Sequence, residues 1–87
     1  MSGYVLWTAT VETLPSSSSQ PGRAWHQAVL ASDCEHAAEV AARRFRREHG
    51  TWPVRVAVVD DHSRRWLCEI DYVRGGAVAV EGHGVRD

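Results

Sequence analysis

Two runs in this chain have residue types and spacings suited to chemistry. Cys34-Glu35-His36 sets a thiol, a carboxylate and an imidazole in a row. With His26 or His36 as base, this is the outline of a thiol nucleophile at the start of a helix. Arg43-Arg44-Phe45-Arg46-Arg47 packs four guanidiniums into five residues, a density suited to gripping phosphates or a carboxylate-rich protein. Asp60, Asp61, Glu69 and Asp71 are the carboxylates from which a general acid and base could be drawn. No phosphate-binding glycine loop, nucleophile elbow, HExxH helix or calcium loop accompanies them.

The spacing weighs against catalysis and against local metal chelation. On a helix, Cys34 and His36 point about 200° apart, so they cannot share a zinc ion. A site assembled through the fold from Cys34, Cys68, His49 and Glu48 is the remaining arrangement, and it lacks the close ligand pair that metal sites usually carry. Of the carboxylates, two fall in a turn and two on a wet strand face, where solvated acids are ordinary. Ordinary packing of both cysteines is expected, with no metal and no cofactor.

Length and charge bound the function further. Eighty-seven residues allow one small domain, residues 1–87, and exclude a doubly wound nucleotide-binding sheet. With 44% hydrophobic and 24% charged residues the composition is that of a folding chain. A net charge of −1 argues against a generic nucleic-acid coat or a polybasic membrane anchor. All ten cations are arginine. They concentrate in the middle of the chain, and the acids toward its end. No signal-like or membrane-spanning apolar run is present, so a cytoplasmic location with reduced thiols is the expectation.

The elements that must position these groups are legible from periodicity. In residues 4–12, Val5, Trp7, Ala9 and Val11 alternate with Tyr4, Thr8, Thr10 and Glu12, which predicts a half-buried strand. Residues 14–22, rich in Ser and Pro, read as a mobile connection, and 23–31 as a second strand. Ser32 with Glu35 three residues later predicts a capping box, Gly50 a left-handed stop, and residues 33–49 a helix between them. Its apolar stripe is Cys34, Ala37, Ala38, Ala41, Ala42 and Phe45, with Arg43, Arg46 and Arg47 opposite and Arg44 at the border. Glu39 and Glu48 partly neutralise the arginines. Strands then follow at 54–59, 66–73 and 77–81. Asp60 to Arg64 makes the first turn and Gly75-Gly76 a two-residue hairpin, while 82–87 reads as a frayed tail.

The order β-β-α-β-β-β requires an α+β fold of two layers, one amphipathic helix on an antiparallel sheet. Thr8, Thr10, Glu12, Arg55, Glu69 and Asp71, with apolar Tyr4, Leu6, Leu67 and Val73, are assigned to the open sheet face, a candidate contact surface or dimer seam. In layout over about residues 4–81, with the capped alanine-rich helix Ser32 to Phe45 at its centre, the chain resembles some small phage-encoded anti-CRISPR proteins. That resemblance implies a non-catalytic inhibitor that docks on an RNA-guided surveillance complex.

The reading that follows is a binding module that occupies the surface of a larger protein or ribonucleoprotein, as a monomer or homodimer and without a membrane. Arg43, Arg44, Arg46, Arg47, Arg55, Glu69 and Asp71 are its candidate contacts. A nucleic-acid-binding regulator using Arg43, Arg46 and Arg47 is the alternative, and a small thiol or metal enzyme the third.

Overall fold

Alternation of large apolar and polar side chains sets the first two strands, β1 (Val5–Glu12) and β2 (Ala24–Ala31), which pair antiparallel in register from Val5 opposite Ala31 to Glu12 opposite Ala24. The computed structural model of the chain describes residues 3–12, 24–71 and 73–82. The expected Ser/Pro connection at 14–22, Tyr72 and residues 83–87 lie outside them.

Helix α1 (Cys34–His49) follows, then β3 (Arg55–Val59), β4 (Arg65–Asp71) and β5 (Gly76–Gly82). The five strands form one antiparallel sheet in the order β2-β1-β3-β4-β5. Both neighbours of β1 run opposite to it, so β2 and β3 point the same way, and the helix carries the chain across β1 from one to the other. This is the expected α+β layout, one helix on one face of the sheet. No helix among the described residues is long and apolar enough to cross a membrane.

The core lies between helix and sheet. Ala37, Ala38, Ala41, Ala42 and Phe45 meet Trp7, Ala9, Val11, Val29, Val56, Val58, Cys68 and Ile70. Four alanines on the buried stripe leave little bulk, so the helix settles close to the strands and the sheet supplies most of the large side chains. The tryptophans fill the margins. Trp7 packs on Trp66 with ring centroids 5.4 Å apart and donates its Nε1–H to the Ala31 carbonyl at 3.0 Å. Trp25 meets Phe45 edge-on at 5.6 Å and donates to the Glu48 carboxylate. Phe45 is the one large buried side chain that the helix itself supplies to this interface.

Several local expectations are corrected by long-range contacts. The helix is capped by Asp33, not Ser32: an Asp33 carboxylate oxygen accepts the His36 N–H at 2.7 Å. Glu35, the expected partner in a capping box with Ser32, reaches instead to β5, where it accepts the Ala79 N–H at 2.9 Å. Gly50 does end the helix, in the left-handed region at φ 76°, with its N–H on the Arg46 carbonyl at 2.7 Å. The β4–β5 connection is not a Gly75-Gly76 two-residue hairpin, because Gly76 already pairs with Asp71 as the first residue of β5. The Asp71 side chain accepts the N–H groups of Val73 and Arg74, each at 3.2 Å, and Gly75 closes the turn at φ 77°. Val73 thereby sits at the turn tip rather than on the sheet face. Tyr4 also leaves that face, packing its ring 5.8 Å from the His36 ring. Val54 precedes β3 and is exposed. Gly82, expected in the frayed tail, pairs with Trp66 as the last residue of β5.

The β3–β4 turn is organised by Asp60, which is buried rather than solvated. Its carboxylate accepts the His62 and Arg64 N–H groups at 2.9 and 2.8 Å and the Arg64 Nε–H at 2.8 Å. Ser63 turns left-handed at φ 65°. Burial pushes the Asp60 carboxyl upward, but the Arg64 and His62 N–H groups and the Arg64 guanidinium together outweigh it, so its pKa lies below the ordinary 3.8. A carboxyl depressed by folding contributes stability that is present above the unfolded pKa and is lost as pH falls through the folded one. Melting temperature measured from pH 7 down to pH 2 should therefore decline below the ordinary carboxylate range in the wild type. Asp60→Asn should melt lower at pH 7 and lose part of that decline. An unchanged acid limb in the variant would show that Asp60 does not hold the turn.

Candidate arginine-lined groove

Three of the four helix arginines converge. Arg43, Arg46 and Arg47, together with Trp52 and Gly75, line a shallow open groove of about 600 Å³ between the C-terminal half of α1 and the β4–β5 turn. Residues 43, 46 and 47 share one flank of the helix because they are spaced three and four apart. The Gly50 stop then turns the chain so that Trp52, held ahead of buried Pro53, comes back beneath that flank. The Arg46 guanidinium lies over the Trp52 ring, 4.9 Å from its centroid.

The charges of this flank are not equally committed. Arg43 pairs with Glu39 one turn back at 2.7 Å, as expected, in an exposed geometry that contributes little stability. Glu48, expected to neutralise Arg47, is drawn away to the indole of Trp25. Arg47 makes no ion pair among the described residues, so its guanidinium is available to a ligand. Arg46, Arg47 and His49 also stand in the last helical turn, where cations offset the negative end of the helix dipole.

The other candidate contacts lie elsewhere. Arg44 is not in the groove: its Nη1–H donates to the Ala28 carbonyl of β2 at 3.0 Å. Arg55 and Glu69 face each other across β3 and β4 on the open sheet face, 4.0 Å apart and both largely exposed. Asp71 is spent on the turn described above. Glu69 and Asp71 border a second shallow concavity, about 440 Å³, with Val73, Val78 and Val80. Neither Trp52 nor Gly75 is among the candidate contacts, and Gly75 enters only as a turn residue, although a tryptophan standing outside any alternation, just before a proline, is a signal of its own.

The thiol nucleophile outline is not assembled. Cys68 donates its thiol to the Cys34 carbonyl at 3.8 Å. Burial pushes the Cys34 thiol up, with the Glu35 and Asp33 charges adding to it, and burial beside Cys34 pushes Cys68 up to about 12. Neither imidazole serves Cys34, since the His36 ring faces the Ser32 N–H and hydroxyl, and His26 pairs with the Thr10 hydroxyl. Among the described residues no three His, Cys, Asp or Glu side chains gather in a way that could hold a metal. No family model matches the chain, and no curated protein or solved structure does.

The two kinds of arginine separate by experiment. Arg44→Ala should lower unfolding stability by about 1 kcal/mol, through loss of a charge-assisted hydrogen bond to the edge carbonyl. Arg47→Ala should leave stability within about 0.5 kcal/mol of wild type. Denaturant titration of both variants measures this, and equal losses would refute the separation.

Proposed function

We propose that the chain is a non-catalytic binding module that occupies an acid-rich surface of a larger protein or ribonucleoprotein through Arg43, Arg46, Arg47 and Trp52. The convergence of these three guanidiniums on one groove, with Arg47 in no ion pair among the described residues, carries this reading. An open groove suits a macromolecular surface better than a small substrate, which enclosed sites bury. The raised thiols add support, because burial that disfavours the thiolate makes Cys34 and Cys68 weaker nucleophiles.

Nucleic acid is the second reading, favoured by the presence of an aromatic ring among the cations. Against it, Arg46 covers one face of that ring, which removes a stacking surface from bases while leaving guanidinium edges for carboxylates. In its most specific form, drawn from the layout alone, the module is an anti-CRISPR-like inhibitor of phage or mobile-element origin, and its partner is an RNA-guided surveillance complex.

Direct binding to a labelled polyglutamate peptide and to single- and double-stranded DNA, over a salt series, tests the reading. The peptide should bind, and Arg46→Ala with Arg47→Ala should weaken it about tenfold. Tighter binding to DNA, with a log-salt slope that shrinks when Arg43 and Arg47 become Ala, would replace the protein reading with the nucleic-acid one. For the specific form, target-DNA binding by a guide-loaded effector complex should fall when the protein is added.

A further inference from the structure

The sheet has a second face that the helix does not touch. Because Ala77 and Ala79 pack inward, Val78 and Val80 of β5 point out, and the same alternation turns Leu6, Leu30, Val59 and Leu67 outward. Leu6 and Leu30 are directly opposite across β1 and β2, and are 56% and 60% exposed. Val78, at 54%, stands opposite Glu69 on the same face, at the β5 edge of the sheet. The pairing registers set these side chains in a diagonal band from the β2 edge to the β5 edge. Small residues (Thr8, Ala28, Ala57) fill the gaps at its centre.

We propose that this face is a homodimer interface, with a second copy of the chain packed sheet to sheet and the helices outside. Three observations favour a second copy. First, five strands about 4.8 Å apart and about 20 Å long give a flat footprint of about 500 Å². That flat area is more than half of the roughly 800 Å² that each partner of a standard stable dimer buries, before side chains standing off the plane are added. Small residues at the centre let two sheets approach to about 10 Å. Second, the charges bordering the band are of both signs in one place: Arg55 and Glu69 are separated by 4.0 Å, and each is more than half exposed. A spot that carries both signs is its own complement across a two-fold axis, as an isologous contact requires. Third, association through the sheet edges is hindered, because Glu35 occupies an N–H of edge strand β5 and Arg44 a carbonyl of edge strand β2. The arginine-lined groove lies on the helix side, so the dimer carries two such grooves facing outward, and neither surface needs the other.

Sedimentation equilibrium of the full chain, from micromolar to millimolar concentration, should give the mass of two chains. Leu30→Asp and Val78→Asp, each at an exposed position outside the core, should raise the dissociation constant about tenfold or more while keeping the helical circular dichroism. Arg55→Glu and Glu69→Arg should each weaken the dimer, and mixing the two variants should restore it, because the mixed pair regains both contacts. This arm uses surface residues, so it does not depend on the Asp variants folding. A wild-type chain that is monomeric throughout overturns the proposal. So does a dimer that both Asp substitutions leave intact, or a mixture that dissociates as readily as either charge variant alone.

Discussion

One helix has to cover five strands. An α-helix with its side chains is about 10–12 Å across, whereas the outer strand axes of a five-stranded sheet stand about 19 Å apart. The helix therefore lies across the sheet, against both edge strands as well as those between them. It covers each strand only over about its own width and leaves the stretches beside its path underprotected. The alanine stripe answers the first half of this constraint by letting the helix sit low, so that Val11, Val29, Val56, Val58 and Cys68 are sealed beneath it. Long side chains answer the second. Trp25 and Trp66 extend the apolar cover sideways, while Glu35 and Arg44 reach past it to backbone groups of the two edge strands. Each edge contact matches charge to backbone dipole, a carboxylate on an N–H and a guanidinium on a carbonyl, and each removes a group that would otherwise invite another strand.

That constraint also sorts the charged residues into structural and available ones. Arg44 and Glu48 lie on the flank toward β2 and are used there, one on a carbonyl and the other on an indole. Arg43, Arg46 and Arg47 lie on the opposite flank, above a turn that lends Gly75 to the groove, and Arg47 makes no ion pair among the described residues. The groove is basic because the acid next to Arg47 in sequence points round the helix, a consequence of the roughly 100° step between neighbours.

How far the sequence could be read follows the same division between local and distant partners. Strand faces and the helix stripe depend only on period, and Val5 to Val11 and Ala37 to Phe45 fall where periodicity puts them. Where two local solutions competed, a residue far along the chain decided. Ser32 and Asp33 each start a plausible cap, and Glu35 could complete only the first. Its carboxylate is taken by Ala79, 44 residues away, and the cap falls to Asp33. Gly75-Gly76 offers a tight hairpin, but Asp71 captures two N–H groups and widens the turn. Asp60 and Asp61 are indistinguishable as letters, yet only Asp60 faces the N–H groups of its own turn. The position of β1 between β2 and β3 had no local signal at all, since it comes from which strand edge the crossover reaches.

A two-layer domain of this kind has one sealed face and one open face, and its binding chemistry is set by what each face has left over. On the helix side the remainder is cationic, because the edge and margin contacts consume both Glu35 and Glu48 but only one of the helix arginines. On the open side the remainder is apolar, because the strands nearest the centre carry Ala57 and Val59 where a solvated sheet would place polar residues. The two surfaces therefore differ in what they can recognise: charge at the groove, shape and area on the sheet. Among the described residues no second layer covers the apolar face, so it stays exposed unless something flat and similarly apolar is laid against it.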